Sequence, residues 1–458
     1  MRKSSEIAVL DVGKTNVKLE IFDRKGHLLW QTMRSNTPIA SGPYPHADVE
    51  TIWDFLLNSL KVAGAIHHID VLVPTTHGAT AALIDENGLV LPIMDYEFSR
   101  LDEIEARYAP LRPPFEQTYS PKLPAGLNLG RQLAWQAWHH AEAFAKARHL
   151  LTYPQYWGWR LTGALAADVT SLGCHTDLWL PEQAKPSSLA DALGLTQRLP
   201  PVKPPWAEIG VIKPEIAGQT GLAGDVQVLC GIHDSNAALL PHLLTRRAPF
   251  TVLSTGTWVV LMCVGHSLRN LRAEDDMLAN VDATGRPTAC AKFMGGREFA
   301  EIAGDCLVTP DAGAIETIVQ ANVFALPSFS PHGGPYPHLR GSITGELNPD
   351  HRSSLASLYC ALMSDHILTR FGVVDGDLIV DGSFARNAAF CAILAQLRPG
   401  QTVICAQDQA GTARGAAMLA DWPNTTVNIE THVVAPAEIP GLHPYRRKWN
   451  SRFSKELT

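Results

Sequence analysis

The chain has 458 residues, of which 46% are hydrophobic and 18% charged, so it is globular, too long for one ordinary core and suited to two domains. A formal net charge of −7, with no block of Lys or Arg, argues against nucleic acid and against an anionic membrane surface as partners. Any polyanionic ligand must therefore be neutralised locally, by amides, a lysine or a metal.

The first apolar run begins within a few residues of Met1, too soon for a secretory signal, and no run approaches the ~20 apolar residues of a membrane span. A cytoplasmic location is expected. Ala8–Leu10 reads as a strand that runs into Asp11-Val12-Gly13-Lys14-Thr15-Asn16 and out into a second strand, Leu19–Asp23. This is the outline of a phosphate-gripping hairpin. Glycine lets the backbone approach an anion, the amides of Gly13, Lys14 and Thr15 supply donors, and Asp11 is placed to hold a hydrated divalent metal. Lys14 and Lys18 compete as the cation, and the same residues also suit an ordinary tight turn.

Further along, residues 48–57 have helical apolar spacing, and Asp70–Val73 is a strand feeding Pro74-Thr75-Thr76-His77-Gly78. Residues 81–92 form a hairpin with the Asn87-Gly88 turn signal. His77, Gly78, Asp95, Tyr96 and Glu97, with Arg297 and Glu298 much later, are the candidates around a polyol, since sugar hydroxyls need paired donors and acceptors. A surface or turn role stands beside each of these. Residues 128–148 are expected to be helical, and the proline-rich Leu199–Pro205 is a stiff connector.

Val226–Cys230 is a strand entering Gly231-Ile232-His233-Asp234, with a helix after it. A carboxylate at such a junction projects towards ligand and can take a proton from a hydroxyl; Asp234 is equally suited to be a helix cap. His233 reads as a structural histidine or a substrate contact. The domain boundary is expected near residues 240–250, giving domains 1–245 and 246–458 with a ligand cleft between them. Val252-Leu253-Ser254-Thr255-Gly256-Thr257 then repeats the register of the first hairpin, which points to a duplicated domain and a second phosphate grip at Thr255, Gly256 and Thr257.

Leu378–Asp381 is a buried strand turning through Gly382 and Ser383 into a helix from Ala385 that contains Asn387; Gln409–Leu419 opens a small-residue helix at Gly411. The plain reading of that helix is close packing against a sheet; the other is a flat surface for a purine, with Gly382, Ser383 and Asn387 opposite. The chain is expected to close on Arg446-Arg447-Lys448 and a short polar tail. All eight cysteines lie at or after Cys174, form no C-x-x-C pair and read as buried free thiols. Phosphoryl transfer asks for cations and amides around the phosphates, a metal and a base, and each has a candidate here.

Taken in order, Leu10–Lys18, Thr76-His77-Gly78, Trp159–Gly163, Gly231–Asp234, Ser254–Thr257, Asp381-Gly382-Ser383 and Gly415-Ala416-Ala417 resemble the FGGY carbohydrate kinase family of the actin-like ATPase superfamily. The resemblance implies an α/β fold with two actin-like (ribonuclease H-like) domains and a central cleft. It also implies ATP and Mg2+ as cofactors, a small-molecule sugar as partner, and Asp234 as general base. A homodimer is compatible with it. Lys14 stands where the family has a small residue, Asp381-Gly382-Ser383 replaces a triple glycine, and Met94–Glu97 lacks the usual Trp-x-Asp-x-Arg sugar contact. The run Phe293–Glu298 is similar to kinases of 6-deoxy-ketohexoses, which implies phosphorylation of L-rhamnulose or L-fuculose at O1. A pentulose or polyol (xylulose, ribulose, glycerol, erythritol) is the alternative. A non-catalytic nucleotide-dependent switch is the rival from another class.

Overall fold

In the computed structural model, which describes residues 5–331, 333–373, 375–406, 411–425 and 429–453, the chain forms two compact units. The first comprises Met1–Thr245, Ala279–Pro287 and Ala410–Asn428; the second comprises Arg246–Leu278, Thr288–Gln409 and Ile429–Thr458.

The first unit is built on a sheet containing β1 (Glu6–Val12), β2 (Asn16–Asp23), β3 (Leu28–Ser35), β4 (Ile69–Thr76), β5 (Glu208–Val211), β6 (Gln227–Leu229) and β7 (Ile232–His233). β1 and β2 are an antiparallel hairpin, whereas β4 runs parallel to β1, and β6 and β7 run parallel to β4. Side chains of β1 alternate between two cores, as a strand's period of two requires. Ala8, Leu10 and Val12 pack with Ile52, Leu56 and Leu60 of α1 (Val49–Gly64). Ile7 and Val9 pack on the other face with Ala237 and Leu240 of α2 (Asp234–Thr245) and with Ala416 of the short helix Thr412–Ala417. α1 starts where it does because the Asp48 side chain accepts from the Thr51 amide at 3.1 Å, an N-cap, and its buried residues recur every three or four positions.

The second unit repeats the arrangement. β8 (Phe250–Thr255) and β9 (Val259–Val264) form an antiparallel hairpin, and β10 (Asp377–Gly382) runs parallel to β8 with β11 (Val403–Ala406) beyond it. The hairpin-plus-parallel-strand pattern is thus present once per unit, as the sequence echo predicts.

Four local expectations are corrected. β2 begins at Asn16 and not at Leu19, because the hairpin closes as soon as Gly13 is bonded to Asn16. Residues 128–148 are two helices, Leu129–His139 and Ala141–Lys146, broken at His140, whose φ of −130° and ψ of 45° are not helical. After Gly382 comes a 3₁₀ turn, Ser383–Arg386, and the α-helix starts only at Ala388. The basic C-terminal stretch is no polar tail: Leu442–Phe453 is a helix that buries Leu442, Tyr445, Trp449 and Phe453, with the Trp449 indole donating to the Ala325 carbonyl at 2.7 Å and Arg446 paired with buried Asp365. All eight cysteines are free, and all but Cys306 are buried.

Candidate active site

Parallel β-strands present their carboxyl ends to ligand, and in the first unit β1, β4 and β7 end together. Asp11 pairs with Thr75 and His233 with Thr76, so the two residues flank neighbouring positions of β4. Asp11 shares the β1 face of Ile7 and Val9, the side against which α2 packs, and Asp234 is the first residue of α2. The Asp11 carboxyl is accordingly buried and pushed up from 3.8 to about 7, by desolvation first and then by the charge of Asp234, against the pull of Lys18. Lys18 faces it across the hairpin, with Nζ 4.0 Å from Oδ2.

His233 is held from behind. Its amide donates to Thr170 Oγ1 at 3.0 Å, and that hydroxyl bonds to Asp168, a fully buried carboxyl that also caps the turn Val169–Leu172. Burial raises the Asp168 carboxyl to about 7, against hydrogen bonds from Thr170 and Ser171 that favour its charge. The His233 ring lies with Nε2 3.1 Å from Asp234 Oδ1, and burial lowers its pKa against the pull of the Asp234 charge. The same oxygen accepts from the Ser235 amide at 2.6 Å and from the Ser235 hydroxyl at 3.2 Å. Gly78 is where it is because of that imidazole: a Cβ there would stand 2.7 Å from His233 Nε2.

Beside this carboxylate is a small pocket of about 20 Å³, partly open to solvent, lined by Lys14, Asn36, His77, Asp95, Tyr96 and Tyr153 among others. His77 Nδ1 is 3.0 Å from the Gly78 carbonyl, so Nδ1 carries the proton and Nε2 is left as an acceptor. Burial lowers the His77 pKa, and the charges of Asp234 and Lys14 both act on it, which places these groups around one ring. The Lys14 ammonium donates to Asp95 Oδ1, lies 3.3 Å from Glu97 Oε2 and sits 4.6 Å from the centre of the Tyr96 ring.

The first hairpin turn offers fewer free amides than the sequence suggests. Gly13 N donates to Asn16 O at 2.9 Å, closing the turn; the amides of Lys14 and Thr15 take no part in that closure. Asn36, which the sequence did not single out, fixes the turn by donating to the Gly13 and Thr15 carbonyls, each at 2.8 Å.

In the second unit, Thr255 Oγ1 donates to the Asp381 carbonyl and accepts from the Phe384 amide at 2.8 Å, so its hydroxyl is structural. Gly256 and Thr257 are exposed at the hairpin tip, where Gly256 N closes the turn on Trp258 O at 2.8 Å. Gly382, at φ +86°, brings its Cα so near Thr255 O that a Cβ would lie 2.1 Å from it. Ser383 is exposed, and the Asn387 amide group makes two bonds: Oδ1 caps Phe390 N at 3.0 Å and Nδ2 donates to Ser357 at 2.9 Å. Arg297 is exposed on the helix Gly295–Ala303, while Glu298 is buried and accepts from Tyr359 and from Phe329 N at 3.2 Å. Gly411 is exposed and belongs to the first unit; Gln409 and Ala410 before it lie outside the described residues.

The structure thus brings Asp11, Lys14, Lys18, His77, Gly78, Asp95, Glu97, His233 and Asp234 into one region of the first unit. Asp168 and Thr170 behind it were missed, although Asp168-Val169-Thr170-Ser171 carries the signature of a helix cap.

Two hairpin-bearing α/β units, one with a carboxylate at a strand-to-helix junction beside a polar pocket, define a duplicated two-domain α/β architecture. Residues 7–241 match the N-terminal domain of the FGGY family of carbohydrate kinases and residues 247–428 match its C-terminal domain, so the chain belongs to that family. It is 27% identical to the L-fuculokinase of Escherichia coli K12 over 275 residues, which is 57% of each protein, so the chain spans little more than half the length of the curated relatives it matches. Among solved structures it is similar to a carbohydrate kinase from Novosphingobium aromaticivorans, with 35% identity, a TM-score of 0.93 and full coverage of both chains. A xylulose kinase from Lactobacillus acidophilus shares the fold at 15% identity, with a TM-score of 0.81 over 99% of both chains. In this family the two units are the two actin-like domains.

Proposed function

We propose that the chain is an ATP-dependent sugar kinase that transfers the γ-phosphoryl group to a ketose hydroxyl, with Asp234 as the general base. One observation carries this reading: Asp234 sits at the head of α2 beside the pocket, held by His233 and Ser235, with the buried Asp11 close enough to feel its charge. Asp234 takes the proton of the attacking hydroxyl as that oxygen bonds to the γ-phosphorus; the bond from phosphorus to the ADP oxygen breaks, and ADP leaves with the electron pair. The Lys14 and Thr15 amides of the first hairpin are offered to the phosphates.

Asp11 and Asp234 fit a divalent cation, since they are two neighbouring carboxylates, one of them buried, with Lys18 as a countercharge 4.0 Å from Asp11. Among the described residues no cluster of three or more His, Cys, Asp or Glu is built for a metal, which suits Mg2+ held by one carboxylate and the substrate phosphates. Bound there, Mg2+ would neutralise phosphate charge, with Asp11 as its protein ligand.

The acceptor proposed first is a 6-deoxy-ketohexose phosphorylated at O1, supported by the likeness to L-fuculokinase. A pentulose is the second reading, because xylulose kinases share the fold. A coupled ADP-release assay over L-fuculose, L-rhamnulose, D-xylulose, D-ribulose, glycerol and erythritol, with NMR of the product to locate the phosphate, tests both. Turnover of none of them would favour a non-catalytic nucleotide switch.

A further inference from the structure

The hairpin of the first unit carries one side chain whose position its motif does not explain. Lys14 lies between Gly13 and Thr15 at the tip where phosphate donors are expected, yet its ammonium reaches 81 residues along the chain to Asp95. Three groups hold it: the Asp95 carboxylate, Glu97 Oε2 at 3.3 Å and the face of the Tyr96 ring at 4.6 Å. The Lys14 and Asp95 side chains are only 21% and 9% exposed, so the pair is shielded from solvent and from its screening. To reach a phosphate, Lys14 would have to leave all three partners and strand a mostly buried carboxylate.

The rest of the pocket shows what the pairing achieves. Both the ammonium and the Glu97 amide, at 3.0 Å, bond to Oδ1 of Asp95, so Oδ2 takes neither of these bonds, and Asp95 itself lines the pocket. His77 Nε2 is a second acceptor there. Two acceptors with their positions fixed suit a pair of neutral hydroxyls. Among the residues lining the pocket, all of them described, Lys14 is the one Lys or Arg, and it is already matched by two carboxylates. No cation is left over for a sugar acid.

We propose that Lys14 is a specificity residue of the acceptor-sugar pocket and that its ammonium is no phosphate ligand: it holds Asp95 in place as an acceptor for sugar hydroxyls and leaves the pocket selective for neutral sugars over aldonates. This rests on the kinase reading above.

The test compares wild type, Lys14→Met and Lys14→Arg with L-fuculose and D-xylulose as neutral acceptors and D-gluconate as the acidic one. For the better neutral acceptor, K14M is expected to raise the sugar KM at least tenfold while the ATP KM moves less than twofold, and K14R to recover most of the loss. A raised ATP KM with an unchanged sugar KM would overturn the assignment, as would wild-type turnover of D-gluconate at an efficiency matching the neutral sugars. If wild type turns over none of the three, the kinase reading for these acceptors fails instead. Calorimetric titration of a non-hydrolysable ATP analogue into K14M still decides the role of Lys14, because tenfold weaker binding overturns the proposal and unchanged binding upholds it.

Discussion

His233 Nε2 lies 3.1 Å from Asp234 Oδ1, a contact between adjacent residues across the junction of β7 and α2. Burial lowers the pKa of the ring, which disfavours a full positive charge beside the carboxylate. Asp234→Asn keeps the shape of the side chain and removes the base. Turnover in the ADP-release assay is expected to fall roughly 100- to 10,000-fold, with the melting temperature little changed. Near-normal turnover would remove Asp234 from the proposed mechanism.

The crowding at that ring gives a second prediction. A Cβ at Gly78 would sit 2.7 Å from His233 Nε2 and 3.2 Å from its Cδ2, so Gly78→Ala must displace the imidazole. A cost of about 1–3 kcal/mol in stability is expected from overpacking, together with a loss of turnover. His233→Ala opens the space the new methyl needs. The double variant should therefore melt higher than the sum of the two single effects predicts, and strict additivity would show that the two sites do not meet.

Asp11 makes a pH-dependent prediction. Its folded-state pKa is raised from 3.8 to about 7 by burial and by Asp234. Between about pH 4 and pH 7 the unfolded chain has released a proton that the folded protein still binds, so stability is full at the acid end and falls as pH rises through that window. Asp168, raised to about 7 by burial, contributes in the same direction. Thermal melts across the window should show the decline, and Asp11→Asn should flatten part of it while Asp168 sustains the remainder. An unchanged slope in that variant would mean that the Asp11 carboxyl is not held protonated by its surroundings. In the presence of ADP, excess Mg2+ is expected to raise the melting temperature of wild type above pH ~7 more than that of Asp11→Asn, since only the wild type offers the carboxylate to the ion.

What the sequence made legible was local. The two hairpins and their parallel partners could be read because Ile7–Leu10 and Val252–Leu253 are apolar on both faces and end in small or acidic residues. Asp234 could be read because a strand, a glycine and a helix follow one another within a few positions. What escaped depended on partners distant in the chain. Nothing near Lys14 announces Asp95, and nothing near Thr255 announces the carbonyl of Asp381 that takes its hydroxyl. Asn387 looked free until the first turn of its own helix claimed it. The C-terminal helix was hidden by Pro444 and by four Arg and Lys residues, because its apolar stripe is only four residues wide and finds its core on strands and helices far upstream.

The small-residue helix Thr412–Ala417 had two readings, close packing or a surface for a purine, and two of its glycines separate them. A Cβ on Gly415 would lie 1.9 Å from the carbonyl oxygen of Ala237, in the helix that begins with Asp234, whereas a Cβ on Gly411 would meet nothing within 4 Å. Gly415→Ala must therefore push two helices apart at the backbone, where no side chain can yield. It is expected to lower the melting temperature by several degrees and to reduce turnover by shifting Asp234. Gly411→Ala tests the other reading, since it adds a methyl at an exposed helix start without internal conflict. If the glycine lies against nucleotide, the ATP KM rises severalfold in Gly411→Ala while the melting temperature holds. An unchanged ATP KM would leave close packing against α2 as the whole reason for the small residues of this helix.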